Sequence, residues 1–356
     1  MNDTMREYFP MLRTRKEVLD IIQENERLTE QFDSWEEEEQ EEFLDFCTGV
    51  KGVKILYDGF FKEVFSPEYH VERLEEFLSL LLGKKIKIRQ ILPNDSVRLA
   101  DEQTLLITDI VIEAEDGTIA NLEIQKIGYA FPGQRLACYS ADLLLRQYKR
   151  VKDKKREKNK KFNYRDLKKV YTIVLFEKST KEFHQFPKQY IHYGGQTFNT
   201  GLKLETLQES VLVPLDIFGK VMENKTIESK LEAWLVLISS DEPKRIIELL
   251  EKYPEFRSIY EEVYEMCRNV EEIMGLFSEE LAEMDRNTIS YMIEELEEEI
   301  KAEREKTKAE REKIKVEREK IKVEREKIKV IQKELAEKEK MIAELNQKIK
   351  MLEKSE

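Results

Sequence analysis

Between Leu105 and Gln125 the chain reads LLITDIVIEAEDGTIANLEIQ, two β-branched and aliphatic runs separated by Glu115-Asp116-Gly117. No other stretch restricts the fold as strongly. Gly117 tolerates the positive φ that a three-residue hairpin loop with a bulge demands. With that loop Ala114 pairs with Thr118, and the numbers of paired residues add up to 232 throughout. Side chains alternate between the two faces of a strand. One face carries Leu106, Thr108, Ile110, Ile112 and Ala114 with Ala120, Leu122 and Ile124, and is expected to be core. The other carries Ile107, Asp109, Val111 and Glu113 with Asn121, Glu123 and Gln125.

In this register Asp109 falls opposite Glu123. Opposed residues have Cβ atoms ~4.5–5.5 Å apart, and like charges so placed destabilise a sheet. Such a pair needs a cation between the carboxylates or a raised pKa. Mg²⁺ suits the arrangement, because it takes oxygen ligands and is commonly held by one or two carboxylates together with phosphate oxygens and water. A bound ion can also lower the pKa of its water and stabilise charge building on a phosphodiester. The other reading is a solvated sheet edge. A register slipped by one residue would put the two acids on opposite faces.

The hairpin sits within alternating helix and strand signals. Residues 1–48 read as one or two amphipathic helices ending in WEEEEQEEF, and DGFFKEVF opens a further helix at Asp58. Val71, Leu74, Phe77, Leu78 and Leu81 follow at helical spacing up to Gly83, and Ile86, Ile88 and Ile91 suggest a strand before a Pro93-Asn94-Asp95 loop. After the hairpin a helix is expected from about Pro132 to Tyr148, then a basic connection, then a buried strand VYTIVLF at 170–176. This order implies an α/β or α+β domain with a mixed sheet. From about Pro214 the segments are helical and acidic. The expected division is 1–48 for the acidic N-terminal helices, 49–220 for the mixed-sheet domain, 221–300 for a helical subdomain and 301–356 for a charged heptad helix.

That last region repeats KAEREKT, KAEREKI, KVEREKI and KVEREKI at a period of seven. With Ile328 at position a, Ile314, Ile321, Leu335, Ile342 and Ile349 share that position, whereas the d sites are glutamates until Ile331. A long solvated helix whose tip dimerises as a coiled coil is expected, giving a homo-oligomer. A free-standing charged helix, supported by Glu/Lys pairs at i, i+4, is the alternative.

Charge is unevenly spread along the chain. Its net value is −13 over 356 residues, yet Lys149–Lys169 holds twelve Lys/Arg against three acids, while Thr29–Phe46 holds nine acids and no base. Sign asymmetry of this kind says more about partners than the sum does. The three cysteines and three histidines lack metal-knuckle spacing. The longest apolar runs fall short of the ~18 residues of a membrane span, and MNDTMREYFP has no basic stretch leading into an apolar one. The expectation is a cytoplasmic protein with no membrane association.

Asp109, a hairpin and then Glu123-Ile124-Gln125 resemble the Asp…Glu-x-Lys signature of the PD-(D/E)XK nuclease superfamily. More specifically they resemble its recombination-promoting nuclease, or transposase, family, in which glutamine often stands in the lysine place. DGFFKEVF at 58–65 is similar to that family's opening Asp-x-x-Phe-Lys-x-x-Phe helix, and FPGQRLACYSADLLLRQY at 131–148 to its Arg-x-x-x-Tyr helix. The resemblance spans roughly residues 50–220. It implies a restriction-endonuclease-like mixed sheet flanked by helices, and a Mg²⁺- or Mn²⁺-dependent DNA endonuclease linked to recombination or transposition. Asp109 and Glu123 would be the metal ligands, and Gln125 would orient a water or a phosphate oxygen. Glutamine brings no positive charge, so the electrostatic help that a lysine gives is missing.

Arg135 would clamp a phosphate with Tyr139 beside it, or pair with Asp142 at the surface. Lys62 in the first helix is a further candidate. Lys154, Lys155 and Arg156 in the basic segment would track a DNA backbone, or belong to a solvated loop. Two other functions stay open: a nuclease-fold protein that binds DNA or a partner without cutting, and a scaffold that works through its coiled coil.

Overall fold

The computed structural model describes residues 4–92, 110–127 and 132–352. Asp109 and the Pro93-Asn94-Asp95 loop therefore lie outside the described residues. The chain divides into two units, Met1–Tyr291 and Met292–Glu356.

The first unit begins with four short helices, α1 (Thr4–Tyr8), α2 (Arg15–Gln23), α3 (Glu26–Asp33) and α4 (Glu37–Thr48), where the sequence suggested one or two. The breaks are set by caps. Thr14 and Glu17 form a reciprocal capping box ahead of α2, and the Asn25 side chain accepts from the backbone of Arg27 and Leu28 ahead of α3. The acidic run opens α4, where Glu37 and Glu38 are exposed and lie favourably at the positive end of the helix dipole. α5 (Asp58–Val64) and α6 (Val71–Leu82) follow, the first burying Phe60, Phe61 and Val64 and the second burying Leu74, Phe77, Leu78 and Leu81 of its apolar stripe, with Val71 partly buried.

Six strands form one mixed sheet: β1 (Ile88–Leu92), β2 (Ile110–Ala114), β3 (Ile119–Ile127), β4 (Val170–Lys178), β5 (His192–Gly195) and β6 (Gln208–Pro214). Their spatial order is β1-β2-β3-β4-β6-β5. β3, β4 and β6 are parallel neighbours, while β1, β2 and β5 pair antiparallel. The hairpin has the expected register, with Ile110 against Leu122, Val111 against Asn121, Ile112 against Ala120 and Glu113 against Ile119. Gly117 takes φ 87° in the turn, and Ala114 N–H donates to Thr118 O at 2.8 Å.

The sheet is covered on both sides. Ile110, Ile112, Ala114, Ala120 and Leu122 join the main core, together with Ile173, Leu175, Val211 and Val213. The opposite face packs under α7 (Pro132–Glu157), where Val111, Ile119 and Val170 meet Leu143. α7 continues about two and a half turns beyond the expected end at Tyr148, so the first part of the basic segment is helical rather than a loop. The extension is held from outside the helix: Arg150 and Lys154, spaced i, i+4, both reach Glu113 on β2.

Beyond the sheet come α8 (Leu215–Met222), α9 (Lys230–Ser239), α10 (Pro243–Lys252), α11 (Arg257–Cys267) and α12 (Val270–Leu352). Ala233 to Ile238 of α9 are all buried, as expected for a helix enclosed by others, and Trp234 packs on Phe65 and Phe256 with ring centroids 5.3 and 4.9 Å apart. Among the described residues no helix is long and apolar enough to cross a membrane.

The second unit, described by itself, is helical through Leu352. Ile314, Ile321, Ile328, Leu335 and Ile342 are all about half exposed along one heptad position. Ile293, Leu296 and Ile300 lie in the same register and are equally exposed, so an apolar a/d seam also precedes the charged repeats.

Candidate functional site

Glu123 and Gln125 come from the middle of β3, on the face covered by α7. Both residues pair with the neighbouring strand β4, Glu123 against Val174 and Gln125 against Phe176, and they are only 4% and 6% exposed. The solvated-edge reading of this face therefore fails for Glu123. Gln125 Nε2 donates to Glu123 Oε1 at 2.9 Å. Glu123 Oε2 and Gln125 Oε1 are buried and have no hydrogen-bond partner among the described residues.

Burial pushes the Glu123 carboxyl up to about 7. The Gln125 amide, the Arg135 charge and the Tyr139 hydroxyl favour its ionised form but do not restore the ordinary value. These contacts do not offset the cost of burial, and a further cation at Oε2 would.

α7 delivers the residues above Glu123. Arg135 and Tyr139 stand one turn apart, and Arg135 Nη2 donates to Tyr139 Oη at 2.8 Å. The guanidinium lies 5.6 Å from the Tyr139 ring centroid. Burial, together with the Glu123 charge, raises the Tyr139 hydroxyl above the usual tyrosine range, so it stays protonated. Asp142 pairs with Arg146 at 2.7 Å on the next turn, while the Arg135 guanidinium donates to Tyr139 and its charge acts on Glu123.

Lys126 follows Gln125 but points to the other face of β3, as strand alternation requires. Its ammonium reaches Glu280 of α12 at 2.7 Å and lies 5.1 Å from the Tyr57 ring centroid. It cannot take the place of the absent lysine beside Glu123. Lys62 is on the surface of α5 and pairs with Asp58 at 2.5 Å.

Lys154 lies along α7 toward the turn of the hairpin, with its ammonium 2.9 Å from Glu113. Lys155 pairs with Asp166 at 2.7 Å, and Arg156 is 82% exposed beside Asp153. The structure thus brings Glu123, Gln125, Arg135 and Tyr139 together. It separates from them Lys154, Lys155 and Arg156, which lie toward the far end of the helix. Glu113 is a partner that sequence reasoning missed. It shares a face with Glu123, but the basic residues that engage it lie 37 and 41 positions away in the chain.

The donor chemistry fits a hard divalent cation, since the two unpartnered buried atoms beside each other on β3 are a carboxylate oxygen and an amide oxygen. Among the described residues no three His, Cys, Asp or Glu side chains cluster as a ready-made ligand set.

A six-stranded mixed sheet flanked by helices, with a buried glutamate under a helix bearing arginine and tyrosine, places the chain in the α/β class. The chain belongs to the PD-(D/E)XK nuclease family transposases, whose family model matches residues 55–295, about two thirds of its length. The match continues past the sheet through the acidic helices. Nucleases of this superfamily generally use divalent metals. Comparison with curated proteins and with solved structures gives no match.

Proposed function

We propose that the chain is a divalent-metal-dependent DNA endonuclease that hydrolyses phosphodiester bonds, acting in DNA recombination or transposition. The observation that carries this reading is Glu123: a buried carboxylate pushed up to about 7, with one oxygen lacking a partner among the described residues, in a chain of a nuclease family. Asp109 and Glu123 would hold Mg²⁺ or Mn²⁺. The ion, when bound, supplies positive charge to the phosphodiester and lowers the pKa of its water.

The protein's own groups divide the remaining work. Gln125 fixes Glu123 through its Nε2 and has its own Oε1 left to accept a hydrogen bond from the attacking water. Arg135, oriented by Tyr139, brings a cation to the non-bridging oxygens of the phosphate as charge builds there. It takes over part of the role that a lysine at position 125 would have.

A second reading is favoured by one observation: Gln125 is neutral and Lys126 faces away from it. On that reading the domain binds DNA and does not cut it. We further propose that the exposed heptad seam pairs two copies as a cytoplasmic homo-oligomer. Conversion of supercoiled plasmid to nicked or linear DNA with Mg²⁺ or Mn²⁺ tests the first reading, and Asp109→Ala and Glu123→Ala are expected to abolish conversion. Plasmid retained on the protein but left intact under every metal condition would establish the second reading instead.

A further inference from the structure

At the turn end of the hairpin, on the same face as Glu123, lies a cavity of about 300 Å³ between β1, β2, the end of α7 and the connection to β4. Seven basic and three acidic side chains line it, so it carries a formal excess of four positive charges. Its floor is Glu113, 6% exposed, which accepts hydrogen bonds from Gln90 at 2.7 Å, Arg89 at 3.2 Å, Arg150 at 3.2 Å and Lys154 at 2.9 Å. Burial alone would raise this carboxyl, but the bonds from Lys154 and Gln90 and the nearby charges outweigh it and hold it below the ordinary value. Glu113 thus acts as an ionised anchor that gathers three cations and neutralises one.

The rest of the wall repeats the imbalance. Lys158, Lys160 and Lys168 line the cavity and form no ion pair among the described residues. Gathering so many like charges around a cavity costs free energy that an anion would recover. No aromatic side chain lines the cavity, so it offers nothing for a base to stack on inside it, whereas charge and hydrogen-bond donors suit a phosphate. Tyr164, in the same connection and 74% exposed, presents a ring outside the cavity.

We infer that this pocket holds a backbone phosphate of DNA, away from the bond that is cut. The inference rests on the reading of the chain as a protein that acts on DNA. From Glu123 to Ile119, at the pocket wall, is four residues of β3, about 13 Å at ~3.3 Å per residue. One strand of duplex DNA advances ~3.4 Å per nucleotide, so the pocket sits about four nucleotides from the reacting phosphate. Its occupation fixes the DNA along α7 without reading sequence, since phosphate contacts set position and register.

The test is fluorescence anisotropy with a labelled DNA duplex in EDTA, over a range of KCl concentrations. It compares the full chain, the triple variant Lys158→Ala/Lys160→Ala/Lys168→Ala, and a control triple on the distal helix, Lys308→Ala/Lys315→Ala/Lys322→Ala. The pocket triple is expected to bind about tenfold more weakly, with the slope of log K against log salt smaller by about 0.9 for one lost phosphate. The control triple is expected to match the unmodified chain. If the unmodified chain binds and the pocket triple binds equally well with the same slope, the pocket inference falls and the nuclease reading stands. Equal weakening of the two triples also overturns it, because the effect would then be general charge. If the unmodified chain binds no DNA in EDTA, the pocket inference falls, and plasmid conversion with Mg²⁺ decides the nuclease reading separately.

Discussion

Glu123→Gln separates a metal site from an ordinary buried acid without any assay of cleavage. Unfolded, the Glu123 carboxyl ionises near 4.5; folded, burial moves it to about 7. A raised acid leaves stability untouched below the lower value. It removes stability progressively as pH climbs between the two, after which the loss is constant. At about 1.36 kcal/mol per pH unit, the interval corresponds to about 3 kcal/mol of destabilisation at pH 8. At pH 5 the loss is under about 1 kcal/mol. Glutamine carries no charge and escapes this cost. In metal-free buffer the variant should therefore melt several degrees above the unmodified chain at pH 8, at roughly 2–4 °C per kcal/mol, and close to it at pH 5. Mg²⁺ should reverse the order. A ligand at a hundred times its dissociation constant stabilises by about 2.7 kcal/mol, and only the chain with Glu123 should gain it. Differential scanning calorimetry across pH 5–8.5 with and without Mg²⁺ reads both effects. A variant less stable than the unmodified chain at pH 8 without metal would refute the reasoning, because Glu123 would then already be satisfied. So would an identical Mg²⁺ shift in both proteins.

Other perturbations test the remaining contacts. Tyr139→Phe removes the hydroxyl that orients Arg135, a bond worth about 1 kcal/mol, and should slow DNA cleavage about fivefold while leaving Mg²⁺ affinity by calorimetry unchanged. Lys126→Met strands the buried Glu280 carboxylate and should destabilise the fold by about 3–5 kcal/mol in urea titration, part of it recovered in Lys126→Met/Glu280→Leu. Lysine at both Ile328 and Ile342 should leave a monomer in sedimentation equilibrium if the exposed seam joins two copies. An unchanged mass would reject that role for the seam.

The hairpin register was legible because a single conformational demand, positive φ at Gly117, fixes the loop length and thereby every pair that follows. What the polar face packs against was not. A strand that alternates apolar and polar residues reads as half solvated, and only the tertiary fold lays α7 across Asn121, Glu123 and Gln125. The length of α7 was hidden for a related reason. Arg150 and Lys154 look like solvated loop residues until Glu113, far back in the sequence, is placed against them. β5 and β6 went unread because His192–Gly195 is four residues long with two glycines, and Gln208–Pro214 leads directly into a helix. Gln125 and Lys126 were separable by alternation alone, and the structure places the lysine on Glu280. The candidate site was therefore legible as residue types on one strand face. Its burial, which gives Glu123 its unusual ionisation, was not.

The shared metal ion is the claim on which the functional account depends, and anomalous diffraction from crystals soaked in Mn²⁺ addresses it directly. The account predicts a peak about 2.1 Å from Glu123 Oε2, with Asp109 as a second carboxylate ligand. No peak at Glu123, or a peak that Asp109 does not ligate, would contradict it.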